Sequence, residues 1–289
     1  MTAYHHCLSL CCGLLCLACA PDVTPGQETP GVLALYDLER STASFEMPGR
    51  LEEISGLAIT SEGRLFGHND ERATVHEIDR STGAVGKRIF IGSDPSIEGD
   101  FEALAIVGER FFLVTSQGAL YEFREAGDRQ IAPHRATDLG LGTSCEVEGL
   151  DYDSTDDVLL VACKVATPDR GTIVVHRVPL DPQRARPAPL EIPRSQLTAV
   201  GVDTDFQASS VAVTPAGTLL LSSAAPEALI EVDRTGRVLA GIDLDNDQHP
   251  QTEGLAFGPD GTLYLADEQN GAEARVTAYA QVRTGREQP

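Results

Sequence analysis

The chain has 289 residues, enough for one large buried core, with an ordinary hydrophobic share of 42% and a turn-rich complement of 27 Gly and 17 Pro. Its 44 acidic residues face 22 basic ones, a formal charge of −22 that repels phosphate backbones and argues against nucleic-acid binding. Such a surface attracts cations or simply keeps the protein in solution.

The first segment reads as an address. Residues 7 to 20 form an apolar stretch too short to span a bilayer comfortably, of the length of a signal-peptide hydrophobic region, although Met1 to His6 carry no Lys or Arg. Two cleavage readings stand. Ala18-Cys19-Ala20 has the small-x-small form of an ordinary peptidase site, but Pro21 would follow the scissile bond. Leu17-Ala18-Cys19 resembles a bacterial lipobox, with Cys16 where Leu is usual, and is favoured, with Cys19 as the lipidated residue. The expected organisation is a signal segment over 1–19, a flexible tether over 20–31, one folded domain over 32–284 and a polar tail over 285–289. Ala20 after the lipid Cys would allow sorting to the periplasmic side of an outer membrane; cleavage without lipidation would leave the protein periplasmic or secreted.

Past the tether, strands are expected at Val32–Leu38 and Ala43–Met47, and then a phrase begins to repeat. A small residue followed by an apolar run recurs at Gly56, Ala103, Gly149, Ser210 and Gly254, spaced by 47, 46, 61 and 44 residues. A period near 45 with β-type sequence is the signature of propeller blades. Each repeat continues through a turn such as Thr60-Ser-Glu-Gly63 or Gly258-Pro-Asp-Gly261 into a second strand, an alternating third, and a turn such as Asp79-Arg-Ser-Thr-Gly83 or Asp233-Arg-Thr-Gly236. The fold class is therefore all-β: a propeller of four-stranded blades, with the N-terminal strand completing the last blade and closing the ring. Five blades are favoured. Six would require a degenerate blade around Pro179–Asp205, a Pro-rich interval read here as an insertion loop.

Set apart from the signal segment, the seven cysteines reduce to Cys145 and Cys163. They fall on neighbouring strands joined by the turn Ser154–Asp157, nearly across from each other. A disulfide and a pair of reduced core cysteines are both open.

The phrases Glu53-Ile-Ser-Gly-Leu-Ala, Asp100-Phe-Glu-Ala-Leu-Ala and Thr252-Glu-Gly-Leu-Ala-Phe resemble the blade phrases of the SdiA-regulated (YjiK-like) β-propellers over roughly residues 32 to 280. The resemblance implies an exported or membrane-anchored propeller in a family with members linked to calcium. It also implies a fold similar to phytase-like propellers, with no catalytic assignment carried over.

The first strand of a blade lies nearest the axis, so residues entering it face the central channel. This places Glu53, Glu102, Glu148 and Glu253 at one mouth, with Ser209 at the matching place in the fourth blade and Asp100 and Glu146 two residues before two of them. A second position, after the second strand, holds Asn69-Asp70-Glu71, Ser116-Gln117, Lys164, Ser223 and Asp267-Glu268. Converging carboxylates must bind a cation, pair with a base or hold protons. Oxygen donors suit a hard ion, Ca²⁺ before Mg²⁺, and the candidate ligands are Glu53, Asp70, Glu102, Glu148, Glu253 and Asp267. A purely structural ring, bonded to neighbouring backbone and part-neutralised by Lys164, is the competing reading.

Asp243-Leu-Asp245-Asn-Asp247 resembles the opening of a calcium loop but lacks the Gly and distant Glu of an EF-hand, and reads as a solvated acidic turn. There is no Gly-x-Ser-x-Gly elbow, His-Glu-x-x-His motif, phosphate loop or dinucleotide fingerprint. His68, His76, His134, His176 and His249 are scattered and read as surface or strand histidines. Two functions follow. One is a non-catalytic, membrane-tethered, monomeric propeller that binds a cation, a protein or a small molecule at its acidic mouth. The other is a metal-dependent hydrolase of esters, lactones or phosphoesters, with Glu53 and Asp70 as candidate catalytic carboxylates.

Overall fold

The computed structural model describes residues 31–282 together with Met1. The expected signal segment after Met1, Cys19, the tether up to Pro30, the end of the expected domain after Val282 and the whole polar tail lie outside the described residues.

The chain from Gly31 forms five antiparallel sheets arranged as a five-bladed β-propeller. Blade 1 holds Ile54–Ile59, Leu65–Asn69, Thr74–Ile78 and Val85–Ile91, and blade 2 holds Phe101–Val107, Arg110–Thr115, Ala119–Arg124 and His134–Asp138. Blade 3 holds Cys145–Asp153, Val158–Ala166, Thr172–Pro179 and Leu190–Pro193; blade 4 holds Ala208–Val213, Leu219–Ala224, Glu227–Val232 and Val238–Asp243. Blade 5 takes Thr252–Phe257, Leu263–Asp267 and Arg275–Tyr279 from the C-terminal end, and Ala43–Glu46 completes it from the N-terminal end. Ala43 pairs with Ala278 and Glu46 with Arg275, so the expected strand closes the ring by covering the edge of Arg275–Tyr279.

Three expectations need correction. Val32–Leu38 is not a strand: Val32–Leu35 is a 3₁₀ turn because the buried carboxylate of Glu231 accepts the Leu33 N–H at 2.8 Å. The interval Pro179–Asp205 is not simply an insertion loop, since it supplies the outer strand of blade 3 and a 3₁₀ helix over Arg194–Val200. Gln130–Ala132, a strand not expected, joins the outer edge of blade 1 in parallel with Val85–Ile91. Edge strands gain little apolar patterning from burial, which is why the sequence marks inner strands more clearly than outer ones.

The core is divided into five apolar clusters lying between successive blades, as blades packed face to face require. The close packing near the axis explains the small residue of the repeat. A Cβ on Gly149 would lie 2.9 Å from the Val211 backbone nitrogen of the next blade, and one on Gly56 would lie 3.2 Å from the Ala103 Cα. The near-identical turns Asp79–Gly83 and Asp233–Gly236 have matching jobs too. Arg80 reaches back to the Tyr264 hydroxyl and Asp260 of blade 5, and Arg234 to Asp153 and Thr155 of blade 3.

Candidate functional site

The acidic mouth is built by a bulge repeated in every blade. Pairing between the first and second strands shifts register between Ile54 and Gly56, Phe101 and Ala103, Val147 and Gly149, Ala208 and Ser210, and Thr252 and Gly254. A bulge leaves one residue unpaired and re-aims its side chain. The residues so placed are Ser55, Glu102, Glu148, Ser209 and Glu253, each just before the small residue that permits close blade packing.

This register corrects the expected ring in two places. Ser55, not Glu53, occupies the bulge of blade 1; Glu53 lies two residues earlier, at the level of Asp100, Glu146, Gln207 and Gln251. In the second strand, Asn69, Thr115, Cys163, Ser223 and Asp267 face the start of the inner strand, so the next position holds Asp70, Ser116, Lys164, Ala224 and Glu268. Asp267 is fully buried and committed elsewhere: its Oδ2 lies 2.8 Å from His249 Nδ1, and its Oδ1 accepts from Thr252 Oγ1 at 2.7 Å. His249 Nε2 in turn meets the Tyr279 hydroxyl at 2.6 Å. Glu268, just after the second strand of blade 5, adds its carboxylate to the mouth beside Glu253 from the first.

Electrostatic reach joins these groups into one cluster from four blades. Burial, then the charges of Glu148 and Asp100, push the Glu102 carboxyl well above its ordinary range. Burial likewise raises Glu148, opposed by Lys164, whose Nζ donates to Glu148 Oε1 at 3.0 Å. Glu253 is raised to about 8 by burial and by Glu148 and Glu268. Glu268 rises to about 7 by burial and by Asp70 and Glu53, and Asp70 to about 6 by burial and by Glu53. The bulge carboxylates of Glu148 and Glu253 are 5% and 7% exposed, whereas Asp100 and Glu146 stand in solvent, so charge is most crowded where water is scarcest.

Local hydrogen bonds account for only part of this charge. Gln251 Nε2 donates to Glu253 Oε1 at 3.3 Å and to Glu268, and Ser116 donates to Asp100. Asp70 Oδ1 is buried with no hydrogen-bond partner. Blade 4 adds no charge: Ser209 Oγ is spent on the Thr252 carbonyl at 2.6 Å and on Ser222. Glu53 and Asn69 also line a cleft of about 380 Å³ beside the mouth, with Thr74 and His76 in its wall.

Elsewhere the expected features are local. Cys145 and Cys163 form a disulfide, with Cα atoms 5.3 Å apart, in the bulged part of blade 3 rather than as a directly paired couple. His176 lies within 4.8 Å of both sulfurs, but sulfurs joined to each other offer no thiolate to a metal. In the Asp243–Asp247 stretch, Asp245 Oδ1 caps a turn by accepting the Asp247 N–H at 2.9 Å. His68, His76 and His249 are buried rather than superficial; burial lowers His68 and His76 to about 4, which keeps both neutral. Gln251 and the Tyr279–His249–Asp267 chain escape sequence reasoning, and Glu268, read at the second repeated position, is passed over for Asp267 because choosing between them needs the pairing register.

Among solved structures, the chain is similar to glutaminyl cyclase of Myxococcus xanthus, at 16% identity and a TM-score of 0.58 over 83% of this chain and 94% of that one. It is also similar to a luciferin-regenerating enzyme, at 10% identity and a TM-score of 0.57 over 83% and 96%. The PQQ-bound aldose sugar dehydrogenase of Streptomyces coelicolor follows at 12% and 0.51 over 82% and 98%. At these identities the likeness is one of fold. No curated protein sequence matches the chain. The family model described as SdiA-regulated matches residues 35–271, nearly the whole described propeller, and the chain belongs to the SdiA-regulated family.

Proposed function

We propose that this propeller is an exported, membrane-anchored binding protein that takes a divalent cation, Ca²⁺ ahead of Mg²⁺, at its acidic mouth. The observation that carries the reading is the convergence of Glu102, Glu148, Glu253, Glu268 and Asp70 from four blades with Lys164 as the cation set among them. The donor set fits such an ion: it is all oxygen, it is anionic, and Asp70 Oδ1 is buried without a partner. Glu148 would share itself between the ion and Lys164. The anchor is carried by the sequence around Cys19.

Thermal melting of the mature domain in EDTA, Ca²⁺ and Mg²⁺ tests the cation. An ion at about 100 times its Kd stabilises by about 2.7 kcal/mol, roughly 5–10 °C for a domain of this size. Superimposed curves would remove the reading.

A second reading is supported by the cleft of about 380 Å³ beside the mouth. In it the protein hydrolyses esters, lactones or phosphoesters. A bound Ca²⁺ would supply Lewis-acid polarisation of the scissile group. Glu53 or Asp70 would take the proton of the attacking water; Asp70, held at about 6, is poised for that role. Inactivity across a panel of these substrates with Ca²⁺ present would eliminate it.

A further inference from the structure

The chain carries a net charge of −22, yet four arginines surround one groove of about 340 Å³ between blades 2 and 3, away from the acidic mouth. The volume falls within the range of small-molecule pockets. Its floor is core: Phe112, Leu120, Leu139, Leu159 and Val178 belong to the apolar cluster that joins the two blades. Its rim sets four arginines, Arg110, Arg135, Arg184 and Arg186, against three acids, Glu122, Asp138 and Asp181.

Each of these acids accepts a hydrogen bond, Glu122 from a guanidinium and the two Asp from backbone N–H groups. Glu122 Oε1 takes the Arg110 Nε–H at 2.7 Å, and Arg110 stacks over Phe112. Asp138 accepts the Gly140 N–H at 2.7 Å and Asp181 the Gln183 N–H at 2.9 Å. Arg184 and Arg186 each bond only a neutral carbonyl, of Asp156 at 2.7 Å and of Leu139 at 2.9 Å. The Arg135 side chain has no hydrogen bond or ion pair among the described residues, although Glu122, its cross-strand neighbour, lies within its electrostatic reach. Guanidinium donors are therefore left facing an apolar hollow, which suits a carboxylate fork at one end and hydrocarbon at the other.

We propose that this inter-blade groove binds a free amphiphilic carboxylate, with its apolar body on Phe112, Leu159 and Val178 and its carboxylate on Arg135 and the loop arginines.

Calorimetric titration of the purified mature domain with decanoate below its micelle range tests the proposal, with decanol and inorganic phosphate as the other probes. Decanoate is expected to bind one to one and decanol at least about tenfold more weakly, the value of one charge-assisted contact. Arg135→Ala should weaken decanoate by about tenfold without moving the melting temperature or decanol binding, and Thr137→Trp, at the exposed edge of the groove, should block both. The proposal is overturned if decanoate does not bind, if decanol binds equally well, if phosphate competes with equal affinity, or if Arg135→Ala binds decanoate like the native chain.

Discussion

Glu253→Gln isolates the electrostatics of the mouth. Burial, with the charges of Glu148 and Glu268, raises the Glu253 carboxyl from 4.5 to about 8. A carboxyl raised on folding contributes stability that is complete below its unfolded value and is lost as pH climbs to its folded value. The window for this residue therefore runs from about pH 4.5 to about pH 8. At pH 7.5, with about 1.4 kcal/mol for each unit of pH above 4.5, the ceiling is about 4 kcal/mol. Water entry and side-chain relaxation bring the expected figure to about 2 kcal/mol. In EDTA, Glu253→Gln should consequently melt about 4–8 °C higher than the native chain at pH 7.5, with the gap closing by pH 4.5. With saturating Ca²⁺ the order should reverse, since the variant would lack one of the proposed ligands. Chemical or thermal unfolding across pH, with and without the ion, gives both comparisons. A variant less stable than the native chain in EDTA at pH 7.5 would refute the picture of a carboxylate held against its charge.

Three further outcomes follow from packing and cross-links. Arg234→Ala leaves the Asp153 carboxylate, 3% exposed, with the Thr155 N–H but without its guanidinium, and should cost about 2–3 kcal/mol in urea unfolding. Gly149→Ala pushes a methyl to 2.9 Å from the Val211 nitrogen and should cost about 1–3 kcal/mol, whereas Gly86→Ala, whose nearest neighbour would be 3.9 Å away, should be nearly neutral. Replacing Cys145 and Cys163 together by Ser removes a cross-link over 18 residues and should cost about 3 kcal/mol, an effect that reductant reproduces in the native chain.

The blade count and the seam were legible because they rest on local signals: a small residue every 45 or so positions and turn chemistry between strands. Gly56, Gly149 and Gly254 stand where neighbouring backbones meet, a constraint that reaches the sequence directly. The ring was legible only in outline. Glu102, Glu148 and Glu253 share one position, which pairing shows to be a bulge the sequence did not reveal, and Glu53 looked equivalent to them because Ser55 carries no charge to mark the bulge of blade 1. Asp267 and Glu268 are adjacent in sequence and differ entirely in surroundings, a distinction made by cross-strand pairing and by His249 from a distant loop. The outer strands Gln130–Ala132 and Leu190–Pro193 were hidden for a related reason: short edge strands need few apolar residues.

The most direct test of the cation site is equilibrium dialysis of the mature domain against Ca²⁺, followed by elemental analysis, for the native chain and for a variant carrying Glu102→Gln, Glu148→Gln and Glu253→Gln. Stoichiometric Ca²⁺ on the native domain, lost in a variant that remains folded, is the predicted result. Native protein that holds no Ca²⁺ above the dialysis blank, or a triple variant that holds as much as the native chain, would contradict it.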